Sequence, residues 1–254
     1  MQILLASAKI MHDVLKTTHD MRLSTPRFDH EAEAFARNMA QYSIETIAEI
    51  LGCSQQIAGQ NKLRFMHFFE DATKMPALLA YHGQAYKHLK PETLTEEDLN
   101  YAQEHLWITS FLYGLLRPLD GILPYRMEGA VELPSGAGDN MFSFWKKRLT
   151  DVLIHAVKSD DGILVHLATE EFQHLFDWQR VRRELRIVQP LFYVRKGNAL
   201  KMQAVWAKTC RGAMTRFIIE HRITSTDDLS AFSYENFKYD PALGDSDYPH
   251  FIRQ

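Results

Sequence analysis

The apolar positions of this chain follow a helical period in some segments and a strand-like run in others. Gln2–Ala6 is a continuous apolar run of strand length. Over residues 31–41, Ala32, Phe35, Ala36 and Met39 recur at helical spacing and predict an amphipathic helix. Ile44–Leu51 predicts a second, short helix stopped by Gly52 as a left-handed cap, and Ser54 caps a third that carries Gln60, Lys62, Arg64 and Phe68. Thr95-Glu96-Glu97-Asp98 is a capping-box start for a long helix to about Leu115. Asp139 or Asn140 opens another, with Phe142, Trp145, Leu149 and Leu153 on its buried face.

After Gly162 the period changes. Residues 163–167 read as a buried strand, and 187–194 and 200–205 read as strands flanking the turn Lys196-Gly197-Asn198. A strong helix follows over 207–222, its apolar face made of Ala207, Cys210, Met214, Phe217, Ile218 and His221. Helices and strands alternate irregularly, with a hairpin inside. That predicts an α+β fold, a single compact domain whose mixed sheet is surrounded by helices, rather than a doubly wound parallel one.

An apolar content of 46% and a charged content of 24% over 254 residues are those of an ordinary soluble globular chain, and no segment approaches the ~20 apolar residues that cross a bilayer. Ala6-Ser7-Ala8 mimics a signal-peptidase site, but no cation precedes it and the apolar run is short, so the segment reads as the first strand. Cys53 and Cys210 stand far apart without a CxxC, which fits a reduced cytoplasm. The net charge of −3 hides an asymmetry. Between Trp178 and Arg222 eleven cations face two acids, whereas between Thr226 and Asp247 six acids face one lysine. This predicts either a positive face or a solvated helix surface.

The candidate chemistry lies in three places. Ser110 to Arg126 packs Arg117, Asp120, Tyr125 and Arg126 around two prolines and a glycine, so residues 116–123 should form a stiff loop. It would hold an anion or polar ligand, or else knot a core edge with salt bridges. On the last strong helix Lys208, Arg211, Thr215 and Arg222 form a second stripe around Gly212. A helix-interior glycine costs about 1 kcal/mol against alanine, so Gly212 should admit another backbone or a ligand. Thr169 and Glu170 follow a buried strand and point towards a crevice or cap the next helix. His166, Glu170 and His174 match no metal-ligand signature, so neither a metal nor a cofactor is expected.

The turn between the second and third helices would offer free backbone N–H groups to a phosphate, with Ser54, Asn61, Lys62 and Arg64 as DNA-contact candidates; an ordinary αα-corner is the other reading. Phosphate-loop, dinucleotide-fingerprint, nucleophile-elbow and HExxH motifs are all missing from the sequence. Covalent chemistry at Lys9, or acid–base work by Asp120, Glu128 or Glu170, stays open.

Four motifs, LYGLLRPLDGILPYRME, the Phe144-Trp145 pair, HLATEEF and WAKTCRGAMTRFIIEHR, occur in an order that resembles the bacterial YaaA family of peroxide stress resistance proteins. The resemblance implies a cytoplasmic protein that limits unincorporated iron under hydrogen peroxide stress and binds DNA. It implies a cantaloupe-type α+β fold with a helix–hairpin–helix element at about residues 44–65. It also implies a positively charged cleft on Lys9, Gly83, Tyr86, Tyr113, Arg117, Asp120, Tyr125, Arg126, Glu128, Lys208 and Arg211. The chain departs from the family pattern at Ser7 and Ile10, at His82 and Gln84, and at His166, where SPAK-threonine, FKGDVY and NLAS are usual. Two functions follow as expectations: phosphate-directed, sequence-nonspecific DNA binding, or an enzyme or binder of a small anionic metabolite in the same cleft.

Overall fold

The computed structural model describes residues 1–14, 21–70, 73–132 and 140–254. The chain opens with β1 (Gln2–Ala6), whose first four residues are all buried, as a strand covered on both faces must be. Three helices follow: α1 (Asp29–Met39), α2 (Ile44–Leu51) and α3 (Gln55–His67). Ser43 and Ser54 cap α2 and α3 through the N–H groups of Thr46 and Ile57, and Gly52 takes the left-handed conformation (φ 55°) between them. Short elements come next: β2 (Met75–Pro76), α4 (Ala77–Ala80) and α5 (Gln84–Leu89).

α6 (Glu96–His105) starts with the expected Thr95–Asp98 capping box. It stops at His105, ten residues short of the predicted end. Leu106–Ser110 instead forms β3, every residue of it buried, and a turn leads into β4 (Gly114–Leu116) and β5 (Gly121–Ile122). The capping box marks where the helix starts but not where it ends; Trp107, Ile108 and Thr109 suit a strand, and pairing along β1 ends the helix.

α7 (Met141–Lys158) is capped by Asn140 in a reciprocal capping box with Ser143; the alternative cap, Asp139, lies outside the described residues. Trp145, Leu149 and Leu153 are fully buried, while Phe142 is half-buried. β6 (Ile163–His166), α8 (Trp178–Glu184) and β7 (Arg186–Val188) follow.

The stretch 187–194, predicted as one strand, is two. Pro190 has no N–H to give a ladder. β7 ends before it in one sheet, and β8 (Leu191–Lys196) begins after it in another. The hairpin to β9 (Ala199–Lys201) forms as predicted, with Gly197 at φ 59°. The predicted strand 200–205 is cut short because α9 (Ala204–His221) begins at Ala204. On α9, Phe217 is half-buried and His221 exposed, so the buried face ends earlier than its periodicity suggested. β10 (Ser233–Tyr234), β11 (Phe237–Gly244) and β12 (Pro249–Arg253) close the chain.

Two five-stranded sheets result, in the orders β4-β3-β1-β6-β7 and β10-β11-β12-β8-β9. In the first, β3, β1, β6 and β7 run parallel and only β4 is antiparallel. The second is antiparallel except where β12 lies along β8. This is the expected α+β combination of helices and mixed sheet. One contiguous apolar cluster runs through both sheets, from Met1 to Phe251.

α9 packs against α5 at Gly212. A Cβ placed there would sit 1.8 Å from the carbonyl oxygen of Ala85 and 2.6 Å from its carbon. The glycine therefore admits a backbone, not a ligand. Gly212→Ala gains about 1 kcal/mol of helix propensity but overpacks a rigid contact, a cost of about 1–3 kcal/mol. A lower urea midpoint is expected; an unchanged or higher one would mean that α5 and α9 separate readily.

Candidate functional site

In an open parallel sheet, the connections leaving two neighbouring strands in opposite directions open a crevice beyond their carboxyl ends. Here β1 leads to β3 on one side, and β6 leads to β7 on the other. The switch lies between β1 and β6, and a pocket of about 700 Å³ opens there. Ser7, Ala8 and Lys9 line it from the end of β1; Leu167, Thr169 and Glu170 from the end of β6; Gln189 from the end of β7. Gly83, Gln84 and Tyr86 of the α5 segment and Lys208 and Arg211 of α9 close one side. Tyr125, Arg126 and Glu128 close another. Ten of the thirteen predicted cleft residues thus share one cavity, drawn from segments far apart in sequence.

Three do not line it. The Arg117 guanidinium lies over the Trp107 ring, 3.3 Å from its centroid, and donates to Gln2 Oε1 and to the carbonyls of Glu104 and Leu106. Burial pulls its pKa down to about 10. Asp120 accepts from the Arg117 N–H at 2.8 Å and from Ser24 Oγ at 2.7 Å, and burial raises its pKa. The Tyr113 hydroxyl accepts from the Leu123 N–H inside the core. For these three residues the proline-rich loop knots the core edge, through hydrogen bonds and ring stacking rather than through the expected salt bridges. Only its end, Tyr125 to Glu128, reaches the pocket.

The pocket is not uniformly positive. Its lining holds four cations, Lys9, Arg126, Lys208 and Arg211, and three carboxylates, Glu128, Glu170 and Glu171. Two of the cations are already engaged: Lys9 Nζ lies 2.8 Å from Glu128 Oε2, and Arg126 Nη2 lies 2.9 Å from Glu128 Oε1. On the facing wall, Lys208 and Arg211 make no side-chain hydrogen bond or salt bridge among the described residues. Arg211 is half-buried, and loss of water lowers its pKa despite the nearby Glu170. A partly dehydrated, unpaired guanidinium beside an exposed ammonium one helical turn away offers hydrogen-bond donors that an anion could take up.

Beneath the pocket the Tyr125 hydroxyl lies 2.6 Å from Ser110 Oγ and 2.7 Å from the Tyr81 hydroxyl. Burial pushes the Tyr125 phenol up to about 12, so at neutral pH it can donate a proton but not accept one. The Tyr86 hydroxyl donates to the Ala6 carbonyl and fixes the end of β1. Gln84, one of the departures from the family pattern, donates to Thr209 Oγ1 at 2.8 Å and ties α5 to α9.

Five of the eleven cations in the basic stretch meet a carboxylate. Arg180 pairs with Asp151 and Glu184, Arg216 with Glu220, and Arg222 with Asp98. The acidic tail supplies Asp247 to Arg186 and Asp240 to Arg195. The predicted charge asymmetry is thus offset in part across the fold.

The DNA-contact candidates are also occupied. Lys62 Nζ donates to the carbonyls of Ala40 and Tyr42, capping the end of α1. Arg64 pairs with Asp13 at 2.7 Å. Asn61 is buried and donates to the Ile57 carbonyl, and Ser54 serves as the cap of α3. Among the described residues no group of three or more His, Cys, Asp or Glu is placed to hold a metal ion. No helix among them is long and apolar enough to cross a membrane.

Sequence reading missed Gln189, Phe111, Phe172 and Met202, which also line the pocket. Phe172 lay inside a quoted motif, and the break at Pro190 hinted at Gln189. Phe111 and Met202 carried no signal, because a single apolar residue at the end of a strand looks the same in any core.

An α+β protein with a pocket at the switch point of a mostly parallel sheet is thereby defined. Residues 1–243 match the model of a family described as peroxide stress protein YaaA. A UPF0246 protein of Phocaeicola vulgatus is 46% identical over 230 residues, covering 90% of this chain and 89% of its own. One from Bacteroides thetaiotaomicron is 44% identical over 246 residues, 96% and 95% of the two chains. One from Porphyromonas gingivalis is 39% identical over 256 residues, covering both chains in full. The chain belongs to the YaaA family of peroxide stress proteins.

His166, another departure, sits at the end of β6 with 1% of its surface exposed, against the Trp178 ring at 4.9 Å. Neither ring nitrogen has a partner. Burial, together with the charges of Arg211 and Arg182, pulls the imidazole down to about 3, so it stays neutral in the folded protein. The unfolded chain takes up this proton near pH 6.5, while the folded one resists until about pH 3. Folding stability should therefore be full above pH 6.5 and fall with acidification, by an amount on the order of a few kcal/mol. Urea unfolding at pH 7.5 and pH 5 should show a smaller difference in His166→Gln than in the parent; equal differences would mean that the imidazole titrates freely in the folded state.

Proposed function

We propose that this protein serves peroxide resistance by binding a small organic anion in the pocket beyond β1 and β6. One observation carries the reading: half-buried Arg211 and exposed Lys208 face the pocket without hydrogen-bonded or carboxylate partners, while every other half-buried lysine or arginine among the described residues has a hydrogen bond, an ion pair or an aromatic ring. Gln189 and Thr169, whose side chains also lack hydrogen bonds, add neutral donors on the same side. On this reading, any effect on iron-dependent damage runs through the ligand, and the free Cys53 and Cys210 suit a cytoplasmic site of action.

We also read the architecture as the cantaloupe-type fold, with α2, Gly52 and α3 as its helix–hairpin–helix element; the order of elements and the capped corner support this. Phosphate contacts from that corner would require Lys62 and Arg64 to leave the carbonyls and the carboxylate they now hold. For that reason the pocket, rather than the corner, is the favoured seat of function.

A thermal-unfolding screen against organic acids and sugar phosphates tests the proposal. A ligand at a hundred times its Kd adds about 2.7 kcal/mol of stability. That gain should vanish in Arg211→Ala and shrink in Lys208→Ala. Duplex DNA titrated over a salt series provides the opposing outcome. Four phosphate contacts would give a log–log slope near −3.6, on about 0.9 per contact. Such a slope, flattened in the Lys62→Ala, Arg64→Ala double variant, would move the function to DNA.

A further inference from the structure

Two free cations define a charge limit for the ligand, and the remaining lining defines its body. Glu170 and Glu171 share the cavity and repel a second cluster of negative charge, while Lys9 and Arg126 are held by Glu128. A polyphosphate or a nucleic-acid strand would bring more anionic oxygens than Lys208 and Arg211 can meet. A lone inorganic anion, for its part, would leave most of about 700 Å³ unfilled, a volume in the range that encloses a drug-sized molecule.

Much of the rest of the lining is apolar. Phe111 and Phe172 lie parallel, their ring centroids 4.7 Å apart and planes 13° apart, and Leu167 and Leu191 join them in the wall. Ile10 and Met202 also line the cavity yet are 62% and 48% exposed, which places large apolar side chains at its open mouth. A site meant for a fully polar ligand has no use for such a rim, whereas an apolar segment laid across it would shed water from both.

We propose that the pocket selects a single-headed amphipathic anion, a carboxylate or phosphomonoester with an apolar body, its head on Lys208 and Arg211 and its body along Phe172, Leu191, Met202 and Ile10. This deepens the anion reading and rests on it. No chemistry on the ligand is required. The charge-assisted bonds fix the head, and the apolar wall sets affinity by length.

Isothermal titration of the full chain with acetate, hexanoate and decanoate, with hexyl phosphate, inorganic phosphate and ATP alongside, tests this. Each buried methylene contributes about 0.8 kcal/mol, so affinity should rise roughly fourfold per carbon until the wall is covered. The phosphate arm tells which head is preferred: hexyl phosphate above hexanoate points to a phosphomonoester, the reverse to a carboxylate, and both support the proposal if inorganic phosphate binds far more weakly. Arg211→Ala should weaken decanoate roughly ten- to a hundredfold. Lys208→Ala, on an exposed side chain, gives a second reading free of any folding defect. Met202→Asp should weaken decanoate and leave inorganic phosphate unchanged. Equal affinity for acetate, phosphate and decanoate, all lost in Arg211→Ala, would overturn the amphipathic class and leave the anion seat standing. ATP binding more tightly than every single-headed probe would also overturn the class. Binding of all probes unaltered in both cation variants would overturn the class and the anion seat together.

Discussion

The parallel pairing of β1 with β3 on one side and β6 on the other is the constraint from which the rest of the structure follows. It buries the first five residues of the chain in the middle of a sheet, with Ile3 and Leu4 fully covered. It also sends the loops after β1 and β6 in opposite directions, so the pocket is a consequence of strand order. The Tyr86 hydroxyl on the Ala6 carbonyl and the contact of Gly212 with Ala85 then hold α5 and α9 over that opening.

Charge is distributed by the same topology. The cations that look exposed along the sequence are mostly consumed by partners brought from elsewhere, including the acidic tail. Several exposed cations, among them Lys87, Lys146, Arg183 and Lys201, stay unpaired at the surface, but among the described residues Arg211 is the half-buried cation left without a hydrogen bond, ion pair or ring contact, and Lys208 lies one turn away. A guanidinium held in partial dehydration without a carboxylate is costly in an ordinary core. Its retention at the edge of a large cavity is what marks the site. Arg117 is the instructive contrast. It is equally buried in appearance, but it stacks on Trp107 and donates to three oxygens, so nothing of its charge is left to offer a ligand.

Much of this was legible beforehand because it is local. Capping serines at positions 43 and 54, the Thr95 box, the Gly197 turn and the 3.6-residue period of α1 and α7 act over three or four residues, and each formed. The misreadings fall where an apolar run fits either period. Residues 106–110 became strand rather than helix because β1 lay ready to pair with them. Pro190 split an expected strand because the second sheet took its far half.

The sequence by itself determined the family, the mixed α+β class, the helix caps and the residues from which a site would be drawn. Those rest on side-chain chemistry and spacing within a few residues. Tertiary structure alone decided that Lys208 and Arg211 stay free while Arg117, Lys62 and Arg64 are spent on the protein's own oxygens. Pairing of a charge depends on which group, dozens of residues away, arrives within about 3–4 Å, and no local pattern encodes that distance.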